Sequence, residues 1–379
     1  MPWQEVTLKE QRLAFIQEAL RGEETLTALC QAYGISRKTA YKWLHRYQTQ
    51  GETGLENRPR SPHRRPSRIP PDIEAQVLAV RQEHPTWGGR KIAAYLARQG
   101  METVPHPSTI TAILRRHGLL GEPQPRKKVI HRFQAEAPND LWQMDFKAPM
   151  LLADGHKYPF LTILDDASRM LLYLRPCQEM TFAVVEQALI TTFERYGLPK
   201  ALLKDNGPPW GTGDRQRYTR LEAWLLRYNI RPRRSRPYHP QTLGKDERLH
   251  RTLKAELAAR LAESTLEETV ALAEAWRQMY NEQRPHEALD NRVPAEVYSP
   301  SPRQWDGRPP TLVYPVDAQL RKVDKQGYLY FRGQRYRVGR GLEGQVLGLV
   351  LREGETDVWD LYLGQERLSR LEIRPFKKA

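Results

Sequence analysis

The sequence predicts a multidomain chain: α-helical helix-turn-helix modules, an α/β core and a small C-terminal β-barrel. Three observations carry this. The chain has 379 residues, more than one ordinary domain holds. Apolar residues recur at helical spacing through the first third, then give way to apolar runs interleaved with helices, then to short alternating segments around glycines. Basic, proline-bearing stretches nearly free of apolar side chains separate these blocks.

Residues 1–55 form the first module. Leu8, Leu13, Phe15, Ile16, Ala19 and Leu20 follow helical spacing, and Leu26, Leu29, Cys30 and Tyr33 continue it before Gly34 breaks the pattern. Ser36 can cap a third helix with Ala40, Trp43, Leu44 and Tyr47 inward, leaving Arg37, Lys38, Lys42 and Arg46 outside. This is a helix-turn-helix pattern with a basic recognition helix, although a plain helical core with a solvated basic face has the same periodicity. Residues 56–69 are a linker; the ENRPRSPHRRPSR run holds Arg64 and Arg65 and suits a DNA-tracking arm. A second helical module spans 70–120, with Ser108 as a cap and Arg115 and Arg116 facing out. Residues 121–137 form a second basic linker.

Over 138–300 the pattern changes class. LWQMDF, YPFLTILDD and MLLYLRP read as strands, TFAVVEQALITTFERYG as a helix, KALLKDNG as a strand and turn, TRLEAWLLRYN as a helix, RPRRSRP as a short strand, and 244–262 as a long helix. That order indicates a mixed sheet covered by helices. Over 311–379, YLYFRGQRYRVG and LGLVLREGETDVWDLYLG alternate around turns, as hairpins closing a small barrel do.

A formal net charge of +15 points to a polyanion, most commonly nucleic acid. No run of about 18 apolar residues exists, and MPWQEVTLKE lacks the features of a signal peptide, so a cytoplasmic protein without membrane partners is expected. Cys30 and Cys177, both in apolar surroundings, exclude a disulfide framework or a cysteine-based zinc site.

Three acidic residues stand out: Asp145 in LWQMDF, Asp205 in LLKDNG and Glu247 in GKDERLHRTLK. Converging carboxylates form a dense negative pocket suited to divalent cations and to phosphodiester chemistry. On a helix, His250, Arg251 and Lys254 share the face of Glu247, so cations would flank the acid; ordinary charge pairing, as between Glu247 and Arg251, is the alternative. Asp246 competes with Glu247, but adjacent helical residues diverge by about 100°, so only one can face the site.

The motifs Trp142-x-x-Asp145, Asp205-Asn206-Gly207 and Pro237-Tyr238-His239-Pro240-Gln241 followed by Gly244-Lys245-x-Glu247-Arg248 resemble the integrase core of bacterial insertion-sequence DDE transposases, relatives of retroviral integrases. LDDASR and YNEQRPHEAL extend the resemblance, which covers about residues 138 to 300, and HPTWGGRKI (84–92) recurs in the same group. The resemblance implies a ribonuclease-H-like core, an SH3-like C-terminal barrel, and Asp145, Asp205 and Glu247 as catalytic residues and ligands of two Mg²⁺ ions, with Mn²⁺ as a substitute. It implies DNA partners, namely terminal inverted repeats and target DNA, and at least a dimer on DNA, in a bacterial, nucleoid-associated setting. Arg251 and Lys254 match the helix positions that contact DNA ends, Lys245 and His239 are further DNA-contact candidates, and Asp165 and Asp166 are assigned a turn-shaping role. The two-His, two-Cys zinc module of retroviral integrases has no counterpart, so no zinc is expected. The 41 residues between Asp205 and Glu247 exceed the family's usual spacing, with WGTGDRQR (210–217) as the excess. A nuclease without strand transfer and a non-enzymatic DNA-binding regulator remain the alternatives.

Overall fold

A computed structural model describes residues 7–57, 69–121, 134–205, 218–234 and 244–373. The chain divides into two compact units, Met1–Arg68 and Ile69–Ala379. The first contains α1 (Leu8–Arg21), α2 (Leu26–Ala32) and α3 (Arg37–Gln50). Thr7, Thr25 and Ser36 cap the three helices, and Phe15, Ile16, Leu29, Cys30, Ala40, Trp43 and Leu55 fill the core. Gly34 supplies the left-handed backbone (φ 62°) of the turn between α2 and α3.

The second unit begins with α4 (Pro71–Glu83), α5 (Gly89–Arg98) and α6 (Pro107–Arg116) around Val77, Trp87, Ile92, Leu96, Ile110 and Leu114. The expected Ser108 cap is corrected to His106, whose Nδ1 accepts from the Ser108 N–H at 3.4 Å. The helix starts earlier because Pro107 suits the first helical position, where its missing N–H costs nothing. At Gly89 a Cβ would lie 2.3 Å from the Pro107 carbonyl oxygen, so α5 and α6 approach closer than any side chain allows.

The core has β1 (Trp142–Leu151), β2 (Lys157–Asp165), β3 (Leu171–Pro176), α7 (Phe182–Tyr196), β4 (Ala201–Lys204), α8 (Arg220–Arg227), β5 (Arg231–Arg234), α9 (Gly244–Leu261), α10 (Leu266–Glu282) and the short α11 (Pro294–Val297). The sheet order is β3-β2-β1-β4-β5, with β1–β2 and β2–β3 antiparallel and β1–β4 and β4–β5 parallel. Strand alternation splits its side chains between two apolar layers. Trp142, Met144, Leu161 and Ile163 pack with α7 and α8, whereas Phe160, Leu164, Leu171 and Leu174 pack with α9 and α10. The core runs past residue 300: Arg303 donates to the carbonyls of Pro199 and Tyr228, and Trp305 joins the Phe193–Trp224–Tyr228 aromatic group.

The C-terminal region holds β6 (Gln319–Lys322), β7 (Tyr328–Phe331), β8 (Gln334–Arg337), β9 (Val346–Leu351), β10 (Val358–Leu363) and β11 (Glu366–Glu372). Among the described residues these strands do not close into the expected barrel. The strands make a four-stranded sheet, β11-β10-β9-β6, and a separate β7–β8 hairpin over one shared core. That core includes Ala223 and Leu226 of α8, so the region buries part of its apolar surface against the α/β core. Gly341 sits against the Tyr218–Thr219 backbone, with 2.1 Å between a built Cβ and the Tyr218 carbonyl oxygen.

Candidate active site

Parallel register places the first two acids. Trp142 pairs with Leu202 and Gln143 with Leu203, so continuing β1 and β4 in step sets Asp145 level with Asp205 on the neighbouring segment. Neighbouring strands lie about 4.8 Å apart, which puts both carboxylates within electrostatic reach of one another. Helix α9 packs on β1 and presents Glu247 on its exposed side. The Asp145 carboxyl is pushed up to about 7, first by burial and then by the charges of Asp205 and Glu247, while the Phe146 N–H, 2.8 Å from Oδ1, opposes the rise. Asp145 therefore senses the other two acids at once. Among the described residues no three His, Cys, Asp or Glu side chains converge tightly enough to form a closed metal cage. The donor set nonetheless fits Mg²⁺: three hard carboxylate groups whose mutual repulsion a divalent cation would relieve.

Behind Asp145 lies a hydrogen-bonded chain. Thr162, its register partner on β2, donates from Oγ1 to the Asp145 carbonyl at 3.0 Å, and the same hydroxyl lies 3.0 Å from His250 Nε2. With the hydroxyl proton used on the carbonyl, Nε2 is the donor and Nδ1 turns its lone pair towards Asp145 Oδ2, 3.8 Å away. Burial, aided by Lys147, drives the imidazole down to about 4, so it is neutral at neutral pH. His250 is thus buried behind Asp145, not on the exposed face with Glu247, Arg251 and Lys254. Lys147 was not singled out from sequence, although strand alternation places it on the same side as Asp145. Lys147 and Lys254 lie near enough for their charges to interact, forming a cationic border beside the acids.

The start of α9 is fastened from below. Buried Asp166 accepts from the Ala135 N–H at 2.6 Å and from Gln143 Nε2 at 2.5 Å, and its Oδ2 lies 2.5 Å from Lys245 Nζ. Lys245, expected to touch DNA, is corrected to an anchoring role: its side chain is only 17% exposed and its ammonium is committed to Asp166. Asp165 accepts from Ser168 and from the Asn139 N–H, as a turn-shaping residue does. Asp246 points inward and is fully buried, with no hydrogen-bond partner for either oxygen among the described residues; burial, Asp145 and Asp166 push its carboxyl well above the usual range. Glu247 faces out, so the two neighbours divide as the helix geometry requires.

Sequence reading also missed a buried charge group next to Asp205. Glu222, 1% exposed, lies 3.0 Å from the Nζ of fully buried Lys204 and accepts from Arg234 at 2.6 and 2.5 Å. It ties α8, β4 and β5 together directly beneath the Asp205 turn. The LLKDNG motif carried the signal, because a lysine inside an otherwise apolar run needs a buried partner.

Of the remaining DNA-contact candidates, Arg37, Lys38, Lys42 and Arg115 are exposed and Arg46 is half-buried. Arg12, Lys42 and Arg46 surround the Trp43 ring, 4.0, 4.4 and 5.0 Å from its centre. Arg116 is engaged by Glu74 at 2.5 Å, so it is less available than its sequence position suggests. Arg64, Arg65, His239 and the 210–217 segment lie outside the described residues. Cys30 and Cys177 are buried, free thiols. Among the described residues no helix is long and apolar enough to cross a membrane.

Family models match the helical modules and the α/β core. Residues 11–63 match a helix-turn-helix domain, 39–114 a homeodomain-like domain, and 135–240 and 228–294 two models of the integrase core domain. An insertion element IS407 protein of Burkholderia multivorans, described as uncharacterized, is 28% identical over 60% of this chain and 82% of its own length. The Pol polyprotein of radiation murine leukemia virus is 28% identical over 50% of this chain, but only 30% of that polyprotein is covered. The Gag-Pol polyprotein of baboon endogenous virus is 26% identical over 52% of this chain and 11% of its own length. Among solved structures, a simian T-cell lymphotropic virus intasome chain aligns with 79% of this chain and all of its own, at 16% identity and a TM-score of 0.38. The magnesium-bound HTLV-2 integrase catalytic core aligns with 44% of this chain and all of its own, at 15% identity and a TM-score of 0.34. Helix-turn-helix DNA-binding domains joined to an integrase core make this chain a relative of the insertion-sequence transposases that carry a retroviral-integrase-like catalytic core.

Proposed function

We propose that the protein is a DDE transposase that binds the terminal inverted repeats of an insertion sequence, cuts the element ends and joins them to target DNA. The observation that carries this reading is Asp145, level with Asp205 in the sheet register and repelled by both Asp205 and Glu247. Asp145, Asp205 and Glu247 would hold two Mg²⁺ ions. Bound there, the cations would supply Lewis acidity to the scissile phosphodiester and to both the attacking and leaving oxygens.

The chain's own residues supply position and charge. Thr162 and neutral His250 fix the Asp145 backbone and keep a competing cation out of the metal position. Arg251 and Lys254 on the exposed edge of α9, with half-buried Lys147 of β1 beside Lys254, offer donors to phosphate oxygens. In the first reaction water attacks phosphorus and a 3′-hydroxyl departs at the element end. In the second, that 3′-oxygen bonds to a target phosphorus and a target 3′-oxygen leaves, so the number of phosphodiester bonds is conserved. Two element ends require at least two protomers. The test is incubation with Mg²⁺, a labelled duplex ending in the candidate repeat and a supercoiled plasmid. Covalently joined product supports the proposal; cutting without joining supports a nuclease, and binding without either reaction supports a regulator.

A further inference from the structure

The HPTWGGRKI motif does not spend its residues on an outward DNA-reading face. His84 stacks on Trp87 with ring centres 3.7 Å apart and planes 8° from parallel. Arg81 donates to the Trp87 carbonyl at 2.7 Å and to the Leu119 carbonyl at 2.5 Å, so the turn between α4 and α5 is held rigidly. From that turn Thr86 Oγ1 donates to Glu256 Oε1 on α9. The same carboxylate accepts from Arg284 at 2.7 Å and from Trp276 Nε1 at 2.8 Å. Glu256 and Arg284 side chains are only 9% and 6% exposed. Lys91 donates to the Pro285 carbonyl at 3.3 Å, Arg90 pairs with Glu287 at 3.2 Å, and Met279 of α10 packs into the cores of both the helical module and the sheet.

Glu256 lies nine residues beyond Glu247 on one helix, about 13.5 Å along its axis. We infer that Glu256 is a positioning residue: with Thr86 it locks the second helical module onto the catalytic helix, so that DNA held by the module meets Glu247 in fixed register. A buried carboxylate with three donors, one from each of three segments, resists sliding in a way that apolar contact alone does not. The inference rests on the transposase reading for its consequence, but not for the docking itself.

Two measurements on the full chain separate these. Joining of a labelled repeat end is compared for wild type, Thr86→Val, Glu256→Gln and the double variant, with the cut position mapped at nucleotide resolution. Hydrogen exchange over 84–92 and 244–261 is read on the same proteins. The expected result is joining reduced about tenfold in each single variant, a double variant no worse than the more impaired single, cuts spread to neighbouring phosphodiesters, and faster exchange in both segments. A general loss of stability would lower yield without moving the cut. Unchanged exchange, or additive losses with the cut fixed, would overturn the inference. If wild type joins no DNA, the transposase reading fails while exchange still decides the docking.

Discussion

Replacing Asp145 with Asn should stabilise the protein in the absence of divalent cations. The folded-state carboxyl titrates near 7 instead of 3.8, so the native protein binds more protons than the unfolded chain between those values. Stability from this group is fully present below pH 3.8 and is lost as pH rises through about 7. At about 1.4 kcal/mol per unit the shift is worth at most about 4 kcal/mol. The side chain is 23% exposed, and Asn gives up the charge-assisted bond from the Phe146 N–H, so about 2 kcal/mol at pH 8 is the expectation. Urea unfolding in EDTA, followed by tryptophan fluorescence from pH 4 to 8, reads this directly. Wild type should weaken across that range and the variant should not; adding Mg²⁺ should recover wild type alone. A variant no more stable than wild type at pH 8 would refute the claim that burial, together with Asp205 and Glu247, penalises the ionised Asp145 carboxylate.

Three further outcomes follow from particular contacts. Glu222→Ala removes the carboxylate that neutralises buried Lys204 and Arg234; a loss of about 3 to 5 kcal/mol in urea unfolding is expected. Gly89→Ala forces α5 away from the Pro107 carbonyl, at about 1 to 3 kcal/mol by thermal unfolding, with little effect if the helices can part freely. Lys91, lowered to about 8 by burial and by Arg284, gains stability as pH rises from 8 to its ordinary 10.5, because the unfolded chain still holds the proton there. Lys91→Met should flatten that window and be about 1 to 3 kcal/mol more stable at pH 7.

Much of this organisation is legible in the sequence because its signals are local. Ser36 before an amphipathic helix, alternation through YLYF, and the apolar run ending at Asp205 each depend on neighbouring residues, and each element forms where the pattern places it, whereas β1 runs past the end of its apolar run at Asp145 to Leu151. What was not legible depends on partners distant in sequence. Lys245 has the appearance of a phosphate contact until folding brings Asp166 under it, 79 residues away. His250 shares a helix face with Glu247 by spacing, but the sheet covers it, and Thr162 on β2 decides its tautomer. The C-terminal strands have the turns of a barrel, yet among the described residues they form two separate sheets whose shared core takes in Ala223 and Leu226 of α8. Thr86 and Glu256, separated by 170 residues, give no sign of each other in the chain.

On the proposed function, Asp145, Asp205 and Glu247 act as one site for joining DNA. Its most direct test is strand joining by Asp145→Asn, Asp205→Asn and Glu247→Gln in Mg²⁺, with repeat binding measured alongside. Joined product from wild type and none from any of the three, with binding retained, is the predicted result. Joining that survives loss of any one of these acids would contradict the account.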